Sequence, residues 1–174
     1  GLSFPFTEFN EKNKIKVKKL INTAVKALGI SEGPANIDLI WDKKTDEVHI
    51  LEISPRIGAT CLPDLIKYHT GIDWVEQAIK SALGTKPVLT IKKKTPVAAM
   101  ILQSPKDGIY QGHSLRSTTQ HLQVIDYEIN VQRGENINKL RNGTDRIGKV
   151  LVTGESAKGA EMNSKKFLEN LIIE

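Results

Sequence analysis

A chain of 174 residues, 39% hydrophobic and 26% charged, is long enough to bury a core as one domain or two small ones, and no apolar run approaches the roughly 20 residues of a membrane span. The formal charge of +5 and pI near 9.2 raise the question of nucleic-acid binding. The basic residues, however, cluster at Lys12 to Lys19 and Lys92 to Lys94 with no aromatic side chain among them to stack on bases, so solvated faces explain them.

The opening residues GLSFPFTEF have neither the basic start nor the apolar stretch of a secretory signal, and the chain begins with Gly1 instead of Met, which reads as a fragment. From Ile15 the apolar positions Ile15, Val17, Leu20, Ile21, Ala24, Val25 and Leu28 form a helical stripe, with Lys16, Lys19 and Lys26 between them facing water and Gly29 as the stop. After the Gly33-Pro34 turn signal, Ala35 to Trp41 alternates as a strand, and Glu47 to Ser54 makes a second. On the second, strict alternation puts Val48, Ile50, Glu52 and Ser54 on one face.

Pro63 starts a short helix that Gly71 ends. Asp73, three residues before Glu76, caps another with Trp74, Val75, Ala78, Ile79, Ala82 and Leu83 on its apolar side, and Gly84 closes it. Thr85 to Pro96 is a lysine-rich connector or edge strand. Val97 to Leu102, Gln123 to Val131 and Ile147 to Val152 then read as strands separated by glycine-containing turns, and Ser156 to Ile172 as a terminal helix. The expected class is α+β: a first part over residues 1–84 and a small β-rich domain over 85–174.

The two strands over 35–54 carry the chemistry. An antiparallel hairpin with Asp38 opposite Glu52 also sets Trp41 opposite His49 and leaves a loop of Lys43 to Glu47. It brings two carboxylates to a Cβ separation of roughly 5 Å, where like charges repel, so a positive charge is expected between them. A hard divalent cation meets that need, because magnesium takes one or two protein carboxylates and completes its shell with phosphate oxygens and water. Ser54 adds a hydroxyl on the same side, and Arg56, just past Pro55, has the fork that grips a carboxylate or phosphoryl group. The alternative from spacing alone is a hairpin whose acids face solvent and are neutralised by Arg56.

GPANIDLI at Gly33 to Ile40 followed by LEISPRIG at Leu51 to Gly58 resembles the metal-binding end of ATP-grasp enzymes, of the carbamoyl-phosphate-synthase-like and amino-acid-ligase-like kinds. The resemblance runs from Lys12 to Gly84. Thr60-Cys61-Leu62-Pro63, Asp145-Arg146-Ile147-Gly148, the strand ending Val152-Thr153-Gly154 and the terminal helix are similar to parts of the C-terminal domains of biotin-carboxylase-like and amino-acid-ligase-like members. It implies an ATP-grasp C-terminal subdomain, a mostly antiparallel sheet with helices, followed by the β-rich domain. By position, Asp38 and Glu52 are magnesium (or manganese) and ATP ligands, Ser54 occupies the metal-ligating position usually held by Asn, and Arg56 is the catalytic arginine that contacts substrate or phosphate. A serine hydroxyl is a poorer ligand than an amide oxygen, so Ser54 is a departure from the pattern.

The implied activity is an ATP- and magnesium-dependent ligase that joins a carboxylate substrate to an amine or another nucleophile through an acylphosphate. No glycine-rich phosphate loop is present, so the nucleotide pocket is expected from an N-terminal ATP-grasp half in cis or in trans, and the chain alone is expected to be inactive. A non-catalytic, degenerate ATP-grasp-like binding module is the alternative. No nucleic-acid or membrane partner is expected, and a homo-oligomer is compatible with this reading. The single cysteine, Cys61, cannot close an internal disulfide and reads as a small buried hydrophobe, which fits the cytoplasm. His49, His69, His113 and His121 lack metal-ligand spacing, and Gly112 to Thr119, with Ser114, Arg116, Ser117, Thr118 and Thr119, reads as a plain polar loop in preference to an anion site.

Overall fold

The computed structural model describes residues 1–116 and 122–174. Ser117, Thr118, Thr119 and His121 from the sequence reading lie outside the described residues. The chain forms two compact units, one of Phe6–Lys92 and one of Gly1–Pro5 with Lys93–Glu174. Every paired strand is antiparallel, with one isolated parallel bridge between Ser104 and Lys139.

The unit of Phe6–Lys92 holds α1 (Glu11–Ala27), β2 (Asn36–Asp42), β3 (Glu47–Ser54), α2 (Leu62–Thr70) and α3 (Trp74–Ala82). The first strand of the chain, β1 (Leu2–Phe4), belongs to the other unit. Asn10 caps α1 by accepting from the Asn13 amide at 2.9 Å. The inward residue of its first turn is Asn13, 2% exposed, whereas Ile15, two residues on and so turned away, is 70% exposed. The apolar stripe expected from Ile15 to Leu28 is therefore narrower: Val17, Leu20, Ile21, Ala24 and Val25 are half-buried and both ends are exposed.

Asn13 is buried because it reaches the turn of the β2–β3 ribbon. Its Nδ2 donates to Asp46 Oδ1 at 2.7 Å, and Trp41 Nε1 donates to the same oxygen at 3.2 Å. Asp46 sits in the left-handed region at φ 57°, where Asp is better tolerated than most residues, and one carboxylate oxygen has the lone pairs to accept both bonds. Trp41 packs edge-on against Phe9, ring centroids 5.1 Å apart, and Phe9 against Phe6 at 4.8 Å.

Pro63 lies in the first turn of α2, and Gly71, at φ 78°, ends it with its N–H bonded to the Lys67 carbonyl at 2.8 Å. Asp73 caps α3 by accepting from the Glu76 amide at 3.1 Å. The face of α3 differs from expectation. Gln77 points inward at 8% exposure, while Val75, Ile79 and Leu83 are 42%, 56% and 76% exposed. The reason is the segment after the helix, which has no strand partner: Gln77 Oε1 accepts from the Val88 amide at 2.7 Å and satisfies a backbone group that would otherwise lack one. Cys61 and Leu65, 2% and 0% exposed, are buried, as expected for the cysteine.

The other unit is built on a sheet of order β1-β4-β9-β7, where β4 is Val97–Gln103, β7 is Val124–Ile129 and β9 is Arg146–Thr153. The inner strands VAAMILQ and RIGKVLVT are nearly continuous apolar runs, as strands covered on both sides require. Here α4 (Ala157–Asn170), capped by Ser156 Oγ accepting from the Gly159 amide at 3.0 Å, lays Ala160, Ser164 and Phe167 against the sheet, each 0% exposed. Gly148 allows close strand contact, since a Cβ there would lie 2.0 Å from the Glu128 carbonyl oxygen.

The terminal helix stops at Asn170 and not at Ile172. Leu171 is extended at φ −81°, ψ 123°, and Leu171–Ile173 forms β10 against β6 (His113–Leu115), while β5 (Gly108–Ile109) pairs with β8 (Asn136–Ile137). The alternating Leu-Ile-Ile run sends Leu171 and Ile173 to the core cluster and leaves Ile172 outward, which helical spacing would not do. Among the described residues, no helix is long and apolar enough to cross a membrane.

Two measurements check this packing. Phe167→Ala removes a fully buried ring and should cost about 3–5 kcal/mol in urea unfolding followed by far-UV circular dichroism. Hydrogen bonds from Asn13 and then Trp41 hold the Asp46 carboxyl below its usual value of 3.8. A depressed folded pKa contributes stability that is present above the unfolded value and lost as pH falls through the folded one. Acid titration of Trp41 fluorescence should therefore show loosening below about pH 4 in the wild type, and Asp46→Ala should flatten that acid limb.

Candidate metal and phosphate site

The β2–β3 ribbon pairs Asn36 with Ser54, Ile37 with Ile53 and Asp38 with Glu52. The expected facing pair of acids is thus in register. Beyond it the ladder shifts: Leu39 pairs with Ile50, Ile40 with His49, Trp41 with Val48 and Asp42 with Glu47. Leu51 is the extra residue of a β-bulge, so Trp41 does not face His49 and the loop is shorter than Lys43 to Glu47.

The bulge also corrects the shared face. Val48, Ile50 and Ile53 are the partly buried apolar positions of β3, whereas His49, Leu51 and Glu52 are exposed. In a regular strand Glu52 would lie on the side of Val48 and Ile50. One inserted residue moves Glu52 and Ser54 to the opposite side, with Asn36, Asp38, Ile40 and Asp42. All four oxygen-bearing side chains at this end of the ribbon therefore meet on one open face.

Asn36 Nδ2 donates to Asp38 Oδ1 at 3.1 Å. Ser54 Oγ donates to Glu52 Oε1. Neither carboxylate has an ion-pair partner among the described residues, so the neutralising role imagined for Arg56 is not seen. Arg56 is exposed; its amide donates to the Ser54 carbonyl at 2.8 Å and its guanidinium to the Ile57 carbonyl at 2.8 Å. The loop that carries it runs to Thr60, whose φ of 58° costs a β-branched residue about 1–3 kcal/mol and which precedes the buried Cys61.

The donors are all hard oxygens, two carboxylates with a hydroxyl and a carboxamide beside them, which suits magnesium better than a soft metal. No cluster of three or more His, Cys, Asp or Glu stands ready to hold a metal among the described residues. Two carboxylates are the number that a magnesium ion sharing its shell with phosphate oxygens and water would need. Sequence reasoning missed Asn36. The available signal was its place two residues before Asp38 on an alternating strand.

Residues 100–174 match the family model for L-amino acid ligase C-terminal domain 2. The whole chain superposes on a phosphoribosylglycinamide synthetase from Anaerococcus prevotii with a TM-score of 0.84 at 25% identity, covering 99% of this chain and 44% of that one. The chain has the fold of the C-terminal portion of an ATP-grasp ligase. An L-amino acid ligase from Bacillus licheniformis shares this fold with a TM-score of 0.79 at 22% identity, over 97% of this chain and 42% of its own. An uncharacterized protein y4rH of Sinorhizobium fredii is 26% identical over 173 residues, 98% of this chain and 35% of the relative. The chain thus spans less than half the length of each of these ATP-grasp neighbours and of y4rH.

The bulge predicts a mutational contrast. Ile53→Lys should destabilise the protein by about 2 kcal/mol, because Ile53 lies on the packed side, whereas Leu51→Lys should change stability by less than about 0.5 kcal/mol. Denaturant unfolding followed by Trp41 fluorescence reads both.

Proposed function

We propose that these residues form the metal-binding end of an ATP- and magnesium-dependent carboxylate-amine (or related) ligase. The observation that carries this reading is the pair of unneutralised carboxylates, Asp38 and Glu52, directly opposed on an open face of hard-oxygen donors. Asp38 and Glu52 would hold Mg2+, or Mn2+, together with the nucleotide phosphates, and Ser54 orients Glu52 or a coordinated water. When bound, the metal supplies charge that offsets what develops on the transferring phosphoryl group.

A substrate carboxylate oxygen attacks the γ-phosphorus of ATP, the bond to the β,γ-bridging oxygen breaks, and ADP leaves. The amine then attacks the acyl carbon, loses a proton and expels inorganic phosphate. Arg56 is the catalytic residue that steadies the acylphosphate, since its fork matches two phosphoryl oxygens. No protein nucleophile is required. The unit of Phe6–Lys92 carries this chemistry, in place of the expected residues 1–84, and the unit of Gly1–Pro5 with Lys93–Glu174 is the appended β-rich domain. The adenine pocket and phosphate-gripping lysines come from an N-terminal ATP-grasp half, in cis or in trans, and without it the chain is inactive. We place the protein in the cytoplasm, free of nucleic acid and membrane, with self-association compatible.

The second reading is a degenerate, non-catalytic module, favoured by one observation: the Ser54 hydroxyl is spent on Glu52. Calorimetry on the natural-length protein separates the two. ATP binding should require Mg2+, and Glu52→Gln should lower kcat/KM for ADP release, assayed over a panel of L-amino acids, by about 100-fold or more with unchanged circular dichroism. Magnesium-independent ATP binding, or wild-type turnover in Glu52→Gln, overturns the ligase reading.

A further inference from the structure

We infer that Asn36 is a positioning residue for the metal-binding carboxylates, wedged between Asp38 and Gly58; this rests on the ligase reading above and deepens it. The two acids are held in matching ways. Ser54, two residues after Glu52, donates to Glu52 Oε1, and Asn36, two residues before Asp38, donates to Asp38 Oδ1 at 3.1 Å. Asn36 and Ser54 are themselves register partners, so the pair of acids is bracketed by a pair of neutral donors. Each donor engages one carboxylate oxygen and leaves the other for a cation.

The opposite end of the Asn36 carboxamide explains a glycine. A Cβ on Gly58 would lie 2.8 Å from Asn36 Oδ1 and 2.5 Å from Leu62 Cδ1. Gly58 is not in the left-handed region, so space and not backbone conformation excludes a side chain there. Asn36 therefore spans from the Asp38 carboxylate to the turn that follows Arg56. One carboxamide sets both the direction of a metal ligand and the approach of the arginine loop. Asn36 is half-buried, whereas Asp38, Ile40 and Asp42 on the same face of β2 are exposed, which fits this wedged position.

Removing a side chain that hydrogen-bonds and orients a metal ligand typically changes metal affinity by about 10- to 100-fold. The experiment titrates Mn2+ into the natural-length protein with water-proton relaxation as the readout. Asn36→Ala should weaken Mn2+ binding by about 10-fold with little change in thermal midpoint. Gly58→Ala, which leaves the amide in place but displaces it, should weaken binding in the same direction and gives a second route if Asn36→Ala folds poorly.

The deciding arm is the Asp38→Ala background. If Asn36 acts through Asp38, Asn36→Ala has no further effect there. A loss of equal size in that background, or wild-type affinity in both Asn36→Ala and Gly58→Ala while Asp38→Ala binds weakly, overturns the positioning role and leaves the metal site standing. Wild-type Mn2+ affinity in Asp38→Ala overturns the metal reading itself and this inference with it.

Discussion

Two carboxylates held face to face on neighbouring strands repel one another, and most of what distinguishes this ribbon follows from tolerating that arrangement. Asp38 and Glu52 are exposed, so water screens part of the repulsion, and each has one oxygen engaged by a neutral donor on its own strand. No lysine or arginine among the described residues has been recruited to cancel them. A structural ion pair would be the cheaper solution for stability alone. Leaving the charge uncancelled makes sense where a divalent cation and its phosphate companions supply the balance.

The bulge at Leu51 makes that arrangement compatible with folding. The apolar positions of β3 fall at Val48, Ile50 and Ile53, a spacing that breaks strict alternation, and the inserted residue restores one packed side and one polar side. A two-stranded ribbon is marginal by itself, and here it is braced at its turn. Asp46 gathers hydrogen bonds from α1 through Asn13 and from Trp41, and the Phe6–Phe9–Trp41 aromatic cluster packs beside it. The brace lies at the turn and the acids lie toward the opposite end of the ribbon, so rigidity at one end leaves the other open.

Local signals in the sequence already determined the existence of β2 and β3, the Asp73 cap of α3 and the burial of Cys61. They depend on alternation, capping chemistry and residue type, which act over a few neighbours. Only the tertiary structure decided the Leu51 bulge, the inward turn of Gln77, the switch from helix to strand at Leu171 and the wedge of Asn36 against Gly58. Each of these satisfies a group far away in sequence: the partner strand, the Val88 amide, the core under Leu171 and Ile173, and the turn beyond Arg56. Periodicity carries no information about such partners, because the demand that a buried polar group be bonded or a core position filled exists only once the distant segment has arrived.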